Sequence, residues 1–148
     1  NGYEHYEISN FCKPNFRAKH NSSYWLGKEY IGIGPSAHSF CGSSRQWNVA
    51  NNAAYMKGIE SGILPAEIEN LTIKNQFNEY IMTSLRTNWG CDLRKIGADF
   101  GEKYVTYLKA ETKIFLQEKL MKNEKESLIL TTKGKFIADG IISDLFMV

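Results

Sequence analysis

Residues 17–40 read RAKHNSSYWLGKEYIGIGPSAHSF, and the change of texture inside them decides how the chain divides into elements. A polar and aromatic half, His20 to Trp25, gives way to a half in which Ile31 and Ile33 alternate with Gly32 and Gly34. Alternation from Glu29 to Ile33, closed by Gly34-Pro35, is the pattern of a strand and its turn. Working outward, Tyr6, Ile8 and Phe11 predict a short strand between Tyr3 and Phe11 that runs into a loop at Lys13-Pro14-Asn15. The two strands are expected to be neighbours. Ser44–Val49 is a third strand candidate, after the turn residues Cys41-Gly42-Ser43-Ser44. Asn51-Asn52 then supplies an N-cap for a short helix through Tyr55, Met56 and Ile59 that Gly62 and Pro65 end.

Beyond Pro65 the glycine-rich, aromatic character yields to helical periodicity, so two domains are expected, residues 1–65 and 66–148. In the second, Thr72 caps a helix whose Ile73, Phe77, Ile81 and Leu85 form one apolar stripe ending at Gly90. Asp92 caps a short helix to Phe100. Gly101 separates it from a longer one in which Tyr104, Tyr107, Leu108, Ile114, Phe115 and Leu120 can face a core. SLILTT, from Ser127, is a strand candidate, and Thr132 caps a last helix marked by Phe136, Ile137, Ile141, Leu145 and Phe146. The class is α+β, with a second domain that is mostly helical and winged-helix-like.

Hydrophobic residues make up 43% and charged ones 23%, a balance that permits a packed core and excludes a disordered chain. The formal net charge is only +2, so no strong field draws the chain to nucleic acid or an anionic membrane. Its apolar runs fall well short of the roughly 18 residues of a membrane span. Cys12, Cys41 and Cys91 are odd in number and in no C-x-x-C arrangement, which speaks against a disulfide framework and for a reducing, cytoplasmic setting. The sequence opens on Asn, with a Gly suited to the C-cap of a preceding helix, and a piece of a longer chain is expected.

Two constellations bear on chemistry. In HNSSYW, the imidazole of His20 can ligate iron or donate a proton, the Asn21 amide can fix its orientation, and the Tyr24 and Trp25 rings can stack on a flat conjugated ligand. A hydrogen-bonded structural histidine is the plainer alternative. In GIGPSAHSF, Gly32 and Gly34 allow the backbone to approach either a ligand or a neighbouring strand, and His38 follows at the strand end. The run is no dinucleotide fingerprint, because G-x-G-x-x-G before a long helix is missing. His20 and His38 can both reach one end of a sheet. Glu4, Glu7 and Glu29 read as surface carboxylates, Trp47 and Trp89 as core or interface anchors. Lys119, Lys122, Lys125, Lys133 and Lys135, mixed with Glu118, Glu124 and Glu126, read as a solvated face.

YEISNFCKP, HNSSYW, YIGIGPSAHSF, LRTNWG and LTTKGK together resemble, in order, the C-terminal third of the oxygen-independent coproporphyrinogen III oxidase family of radical S-adenosylmethionine (SAM) proteins. The likeness is greater to its oxidase-like branch, the heme chaperones. It implies the last strands of a partial (β/α) barrel that holds a four-iron four-sulfur cluster and SAM in the full-length protein, followed by a helical C-terminal domain. The cluster motif C-x-x-x-C-x-x-C is absent among these cysteines, so this stretch alone is expected to be catalytically inactive. In the chaperone branch HNxxYW is linked to heme, which makes His20 a candidate iron ligand, with Trp25 packing nearby. Gly32, Gly34 and His38 then correspond to positions near the SAM and substrate pocket. Heme or a porphyrinogen is the implied ligand, hemoproteins are the implied acceptors, and neither nucleic acid nor stable membrane insertion is implied. Two alternatives stay open: an enzyme that decarboxylates coproporphyrinogen III to protoporphyrinogen IX, and a winged-helix binding module.

Overall fold

The computed structural model describes all 148 residues, which form two compact units: residues 1–26 with 73–148, and residues 27–72. The fold is mixed α and β, and every strand pairing in it is antiparallel.

In the first unit β1 (Glu4–Glu7) and β2 (Asn10–Cys12) form a hairpin, and α1 (Lys19–Trp25) follows. The loop at Lys13-Pro14-Asn15 is present, with Asn15 at φ 68°. No sequence signal predicted α1, whose Asn21, Ser22 and Ser23 are weak helix formers.

The second unit holds β3 (His38–Phe40), β4 (Ser44–Asn48), α2 (Asn52–Glu60) and β5 (Ala66–Asn70), its strands ordered β3-β4-β5. Asn51 caps α2 as expected, its side chain accepting from the Ala54 amide at 2.9 Å. The expected strand Glu29–Ile33 is corrected. Tyr30 alone makes a bridge, to Phe40 rather than to the hairpin, and Ile31 and Ile33 are exposed. Side chains take over from the ladder: Ser39 Oγ accepts from the Gly32 amide at 3.0 Å, and the Asn48 side chain donates to the carbonyls of Gly32 and Gly34 at 3.4 and 2.9 Å. Pro65 is no boundary between these units either. The residues after it pair along β4, Asn48 with Ala66 through Ser44 with Asn70, so the chain leaves the unit only after Thr72.

Back in the first unit come α3 (Ile73–Leu85), β6 (Cys91–Asp92), α4 (Leu93–Phe100), α5 (Glu102–Glu111), α6 (Lys113–Gln117), β7 (Met121–Glu124), β8 (Ser127–Leu130), α7 (Thr132–Lys135) and α8 (Ala138–Asp144). Their strands are ordered β6-β8-β7. The core is built on Phe77, Ile81 and Leu85 of α3, which meet Leu93, Ile96, Leu108, Leu128, Ile141 and Leu145. Ile73 is corrected: it sits half exposed at the helix start. Asp92 caps α4, accepting from the amides of Arg94 and Lys95.

The long helix after Gly101 is two. The Thr112 hydroxyl, fully buried, donates back to the Leu108 carbonyl at 2.7 Å where α5 hands over to α6, and Ile114 is left exposed. The last helix is also two, capped one residue early, by Thr131, whose hydroxyl accepts from the Gly134 amide. Phe136 and Ile137 lie at the break, exposed rather than in the core. Gly90 opens β6 at φ 68°, where any Cβ would collide with the Leu128 carbonyl.

Candidate functional site

α1 carries all of HNSSYW on one short helix, so spacing fixes which side chains meet. Residues one turn apart share a face, and those five apart are turned by about 140°. His20 accordingly meets Tyr24: its Nε2 lies 3.0 Å from the Tyr24 hydroxyl, and the rings meet edge-on with centroids 5.0 Å apart. Both are exposed, Tyr24 at 41%. The Trp25 ring is instead covered by the Arg86 guanidinium, 5.5 Å from its centroid, and its indole N–H is buried with no acceptor. Asn21 does not orient His20; its amide donates to the Tyr6 hydroxyl at 3.5 Å.

Arg86 went unremarked in the sequence, as did the burial of Glu7. Glu7 is wholly buried, which corrects its reading as a surface carboxylate. One oxygen accepts from Arg86 Nε at 3.1 Å, and the other from the Ser9 amide at 3.0 Å and from the Asn10 side chain. Arg86 reaches on to Asp139 at 3.0 Å. Beside this, Glu4 binds Arg17, whose guanidinium lies 5.7 Å from the Trp89 ring centroid, and the Asn88 side chain donates to Glu4 at 3.0 Å. The Arg17 hydrogen bond, first among several, holds the Glu4 carboxyl below its ordinary value. Sequence gave no warning because each partner is distant along the chain.

Gly32, Gly34 and His38 belong to the other unit. At Gly32 a Cβ would strike the His38 carbonyl, so the glycine is required by the chain's own backbone. Gly34 adopts φ 103° with open space around it, and its amide donates to the Tyr55 hydroxyl at 3.3 Å. His38 is exposed at the start of β3, its ring 6.5 Å from that of Trp47. His20 is thus helical, in one unit, and His38 opens a strand in the other.

The three thiols are free and differ in reactivity. Burial pushes Cys91 up to about 12. Burial and then the charge of Glu4 raise Cys12. Cys41 is exposed in a hollow of about 550 Å³ lined by Tyr30, Ile31, Phe40 and Gln46, and the Ser44 hydroxyl 3.0 Å away lowers its pKa. A lower thiol pKa means more thiolate near neutrality. Iodoacetamide at neutral pH is expected to label Cys41 first and leave Cys91 unmodified while the protein is folded. Peptide mapping that shows equal rates at the two would contradict the geometry.

Cofactor chemistry can be tested on the donors present. No three His, Cys, Asp or Glu side chains stand together as a metal site, and Cys12 and Cys91 are in one unit and Cys41 in the other, so these residues do not fit a four-iron four-sulfur cluster. A heme asks for an accessible nitrogen or oxygen donor and a flat apolar surface. The exposed His20 imidazole beside the Tyr24 ring fits that demand.

No family model matches the chain. Its fold matches coproporphyrinogen III oxidase (HemN) from Escherichia coli, described as a radical SAM enzyme, with a TM-score of 0.70 at 17% identity over 99% of this chain and 37% of that one. The sequence is similar over nearly its whole length to proteins named heme chaperone HemW, and with the fold match these support a C-terminal portion of a protein of that kind. It is 30% identical over 145 residues to that of Mycobacterium tuberculosis, covering 97% of this chain and 35% of the relative. It is 29% identical over 147 residues to that of Lactococcus lactis, covering 99% and 38%, and 28% identical over 141 residues to that of Bacillus subtilis, covering 95% and 37%. The chain thus spans a little over a third of the length of these relatives. No helix is long and apolar enough to cross a membrane.

Proposed function

We propose that the longer protein of which this sequence is a portion binds heme and delivers it to hemoproteins in the cytoplasm, with His20 as the iron ligand. The observation that carries the reading is the exposed His20–Tyr24 pair on α1, in a chain similar to proteins named heme chaperones. In this reading the sequence joins the last part of a partial radical SAM barrel to a helical, winged-helix-like C-terminal domain built on residues 73–148. The cluster and SAM are held by residues of the longer protein outside this stretch, with Gly32, Gly34 and His38 near the SAM pocket.

Heme supplies a Lewis-acidic iron in a flat, hydrophobic macrocycle. The protein's own part is to present one imidazole nitrogen to solvent and to keep it accessible. α1 does so by turning Asn21 and Trp25 toward Tyr6 and Arg86, which leaves His20 and Tyr24 outside. A bound ligand must also leave, and an exposed site suits transfer better than a closed pocket.

Heme titrated into the full-length protein is expected to give a Soret band that the His20→Ala variant loses, with affinity weakened by roughly tenfold or more. An unchanged spectrum and affinity in His20→Ala would reject the reading.

A further inference from the structure

Strand β5 is an open edge of its sheet. Its register on β4 runs from Asn48 opposite Ala66 to Ser44 opposite Asn70. Two bonds bracket it, the Val49 amide donating to the Pro65 carbonyl and the Leu71 amide to the Ser43 carbonyl, both at 2.9 Å. Bonded pairs alternate along an antiparallel ladder, so Glu67 and Glu69 exchange bonds with Trp47 and Arg45, and the amides and carbonyls of Ala66, Ile68 and Asn70 point away from β4. None of these outward groups has a partner in the protein. The opposite edge, β3, is occupied: Tyr30 and Phe40 exchange amide-to-carbonyl bonds of 3.0 Å across it.

A row of unpaired backbone groups is a template for another strand, and the side chains beside it select which. Successive residues alternate faces, so Ile68, 65% exposed, stands on one face and Glu67 and Glu69 on the other. Both glutamates are exposed and neither forms an ion pair. A second copy of the edge does not fit, because two β5 strands paired antiparallel about Ile68 would set Glu67 opposite Glu69 twice, and like charges directly opposite destabilise a ladder. The charge that bars a copy of this chain favours a strand of opposite sign. We infer that β5 binds an extended, basic segment of another protein by strand addition, with lysines or arginines of that segment opposite Glu67 and Glu69 and an apolar residue between them opposite Ile68. The inference is independent of the heme reading.

The test adds a fluorescent, end-blocked peptide of alternating lysine and valine to the full-length protein. Anisotropy reports binding, and mass spectrometry at single-residue resolution reports hydrogen exchange at the Ala66, Ile68 and Asn70 amides. Binding is expected to slow exchange at these amides and to weaken as salt is raised, since the charged pairs are exposed. A peptide of alternating glutamate and valine should bind roughly tenfold more weakly. Ile68→Pro removes an outward N–H and leaves the bonds to β4, which belong to Glu67 and Glu69, in place; it should lose the peptide while circular dichroism stays unchanged. Glu67→Lys combined with Glu69→Lys should reverse the preference, taking the acidic peptide over the basic one, and it serves as the test if the proline variant does not fold.

The inference is wrong if the basic peptide fails to bind at millimolar concentration, if it binds folded Ile68→Pro as well as wild type, or if charge reversal leaves the preference unchanged. Outward amides that already exchange slowly before peptide is added would mean that the longer protein covers this edge itself. Slowing that grows with protein concentration would mean that a second copy does. Either result also overturns the inference.

Discussion

Phe77→Ala lowers the stability of the chain by about 3–5 kcal/mol, the range for deleting a buried phenylalanine. Phe77 has no exposed surface, and its ring meets Tyr104, Phe100 and Tyr107 at centroid distances of 4.8, 5.8 and 6.3 Å. Four aromatic rings on α3, α4 and α5 thus share one seam. Removing the central ring takes away both apolar burial and the edge-to-face contacts, and three large neighbours cannot all collapse into the gap. Urea unfolding followed by circular dichroism measures it: the midpoint should fall with the slope unchanged. A loss below about 1 kcal/mol would mean the seam repacks, contrary to a core built on this residue.

Arg86→Ala costs about 3 kcal/mol, because it leaves the Glu7 carboxylate buried without its cation. The lower end of the range applies. Glu7 keeps its bonds from Ser9 and Asn10, and the Arg86 side chain is itself 23% exposed. Loss of the guanidinium also uncovers the Trp25 ring, so tryptophan emission should shift along with the unfolding midpoint. Replacing both partners, Glu7→Gln with Arg86→Met, should recover most of the loss, since a neutral amide needs no counter-charge. A single mutant as stable as wild type, or a double mutant no better than the single, would show that the pair does not behave as a buried ion pair.

What the sequence made legible was local. The caps at Asn51 and Asp92 and the stripe Phe77, Ile81, Leu85 rest on residues a few positions apart, and all of them stand in the structure. Phe136 and Ile114 failed for the same local reason inverted. Each was counted in a helix that in fact breaks nearby, at Thr112 or between α7 and α8, and a phase carried across a break points to the wrong side. Glu7 was out of reach because its partner Arg86 is 79 residues away. Asn48 was out of reach because its role is to satisfy carbonyls that a strand would have satisfied. At the candidate site the sequence shows which residue types lie close along the chain, but not how they pair. Without knowing that Lys19–Trp25 is helical, the Trp next to Tyr24 in sequence looks like the natural wall for His20, whereas 3.6 residues per turn select Tyr24 itself.

The Glu7–Arg86 pair is one of several threads stitching residues 1–26 to the chain after Ile73: the Ile8 amide also donates to the Arg86 carbonyl at 3.0 Å, and the Asn88 amide to the Tyr6 carbonyl at 2.9 Å. The helical unit is therefore made from two separate lengths of chain, and the 46 residues from Gly27 to Thr72 are a detour between them. In the terms of protein splitting, a nick anywhere in that detour leaves two fragments that still recognise each other through a buried charge and a short backbone seam. The heme-ligand candidate His20 travels with the shorter fragment and the core with the longer, so α1 keeps its place only while the two remain joined by contacts rather than by covalent chain.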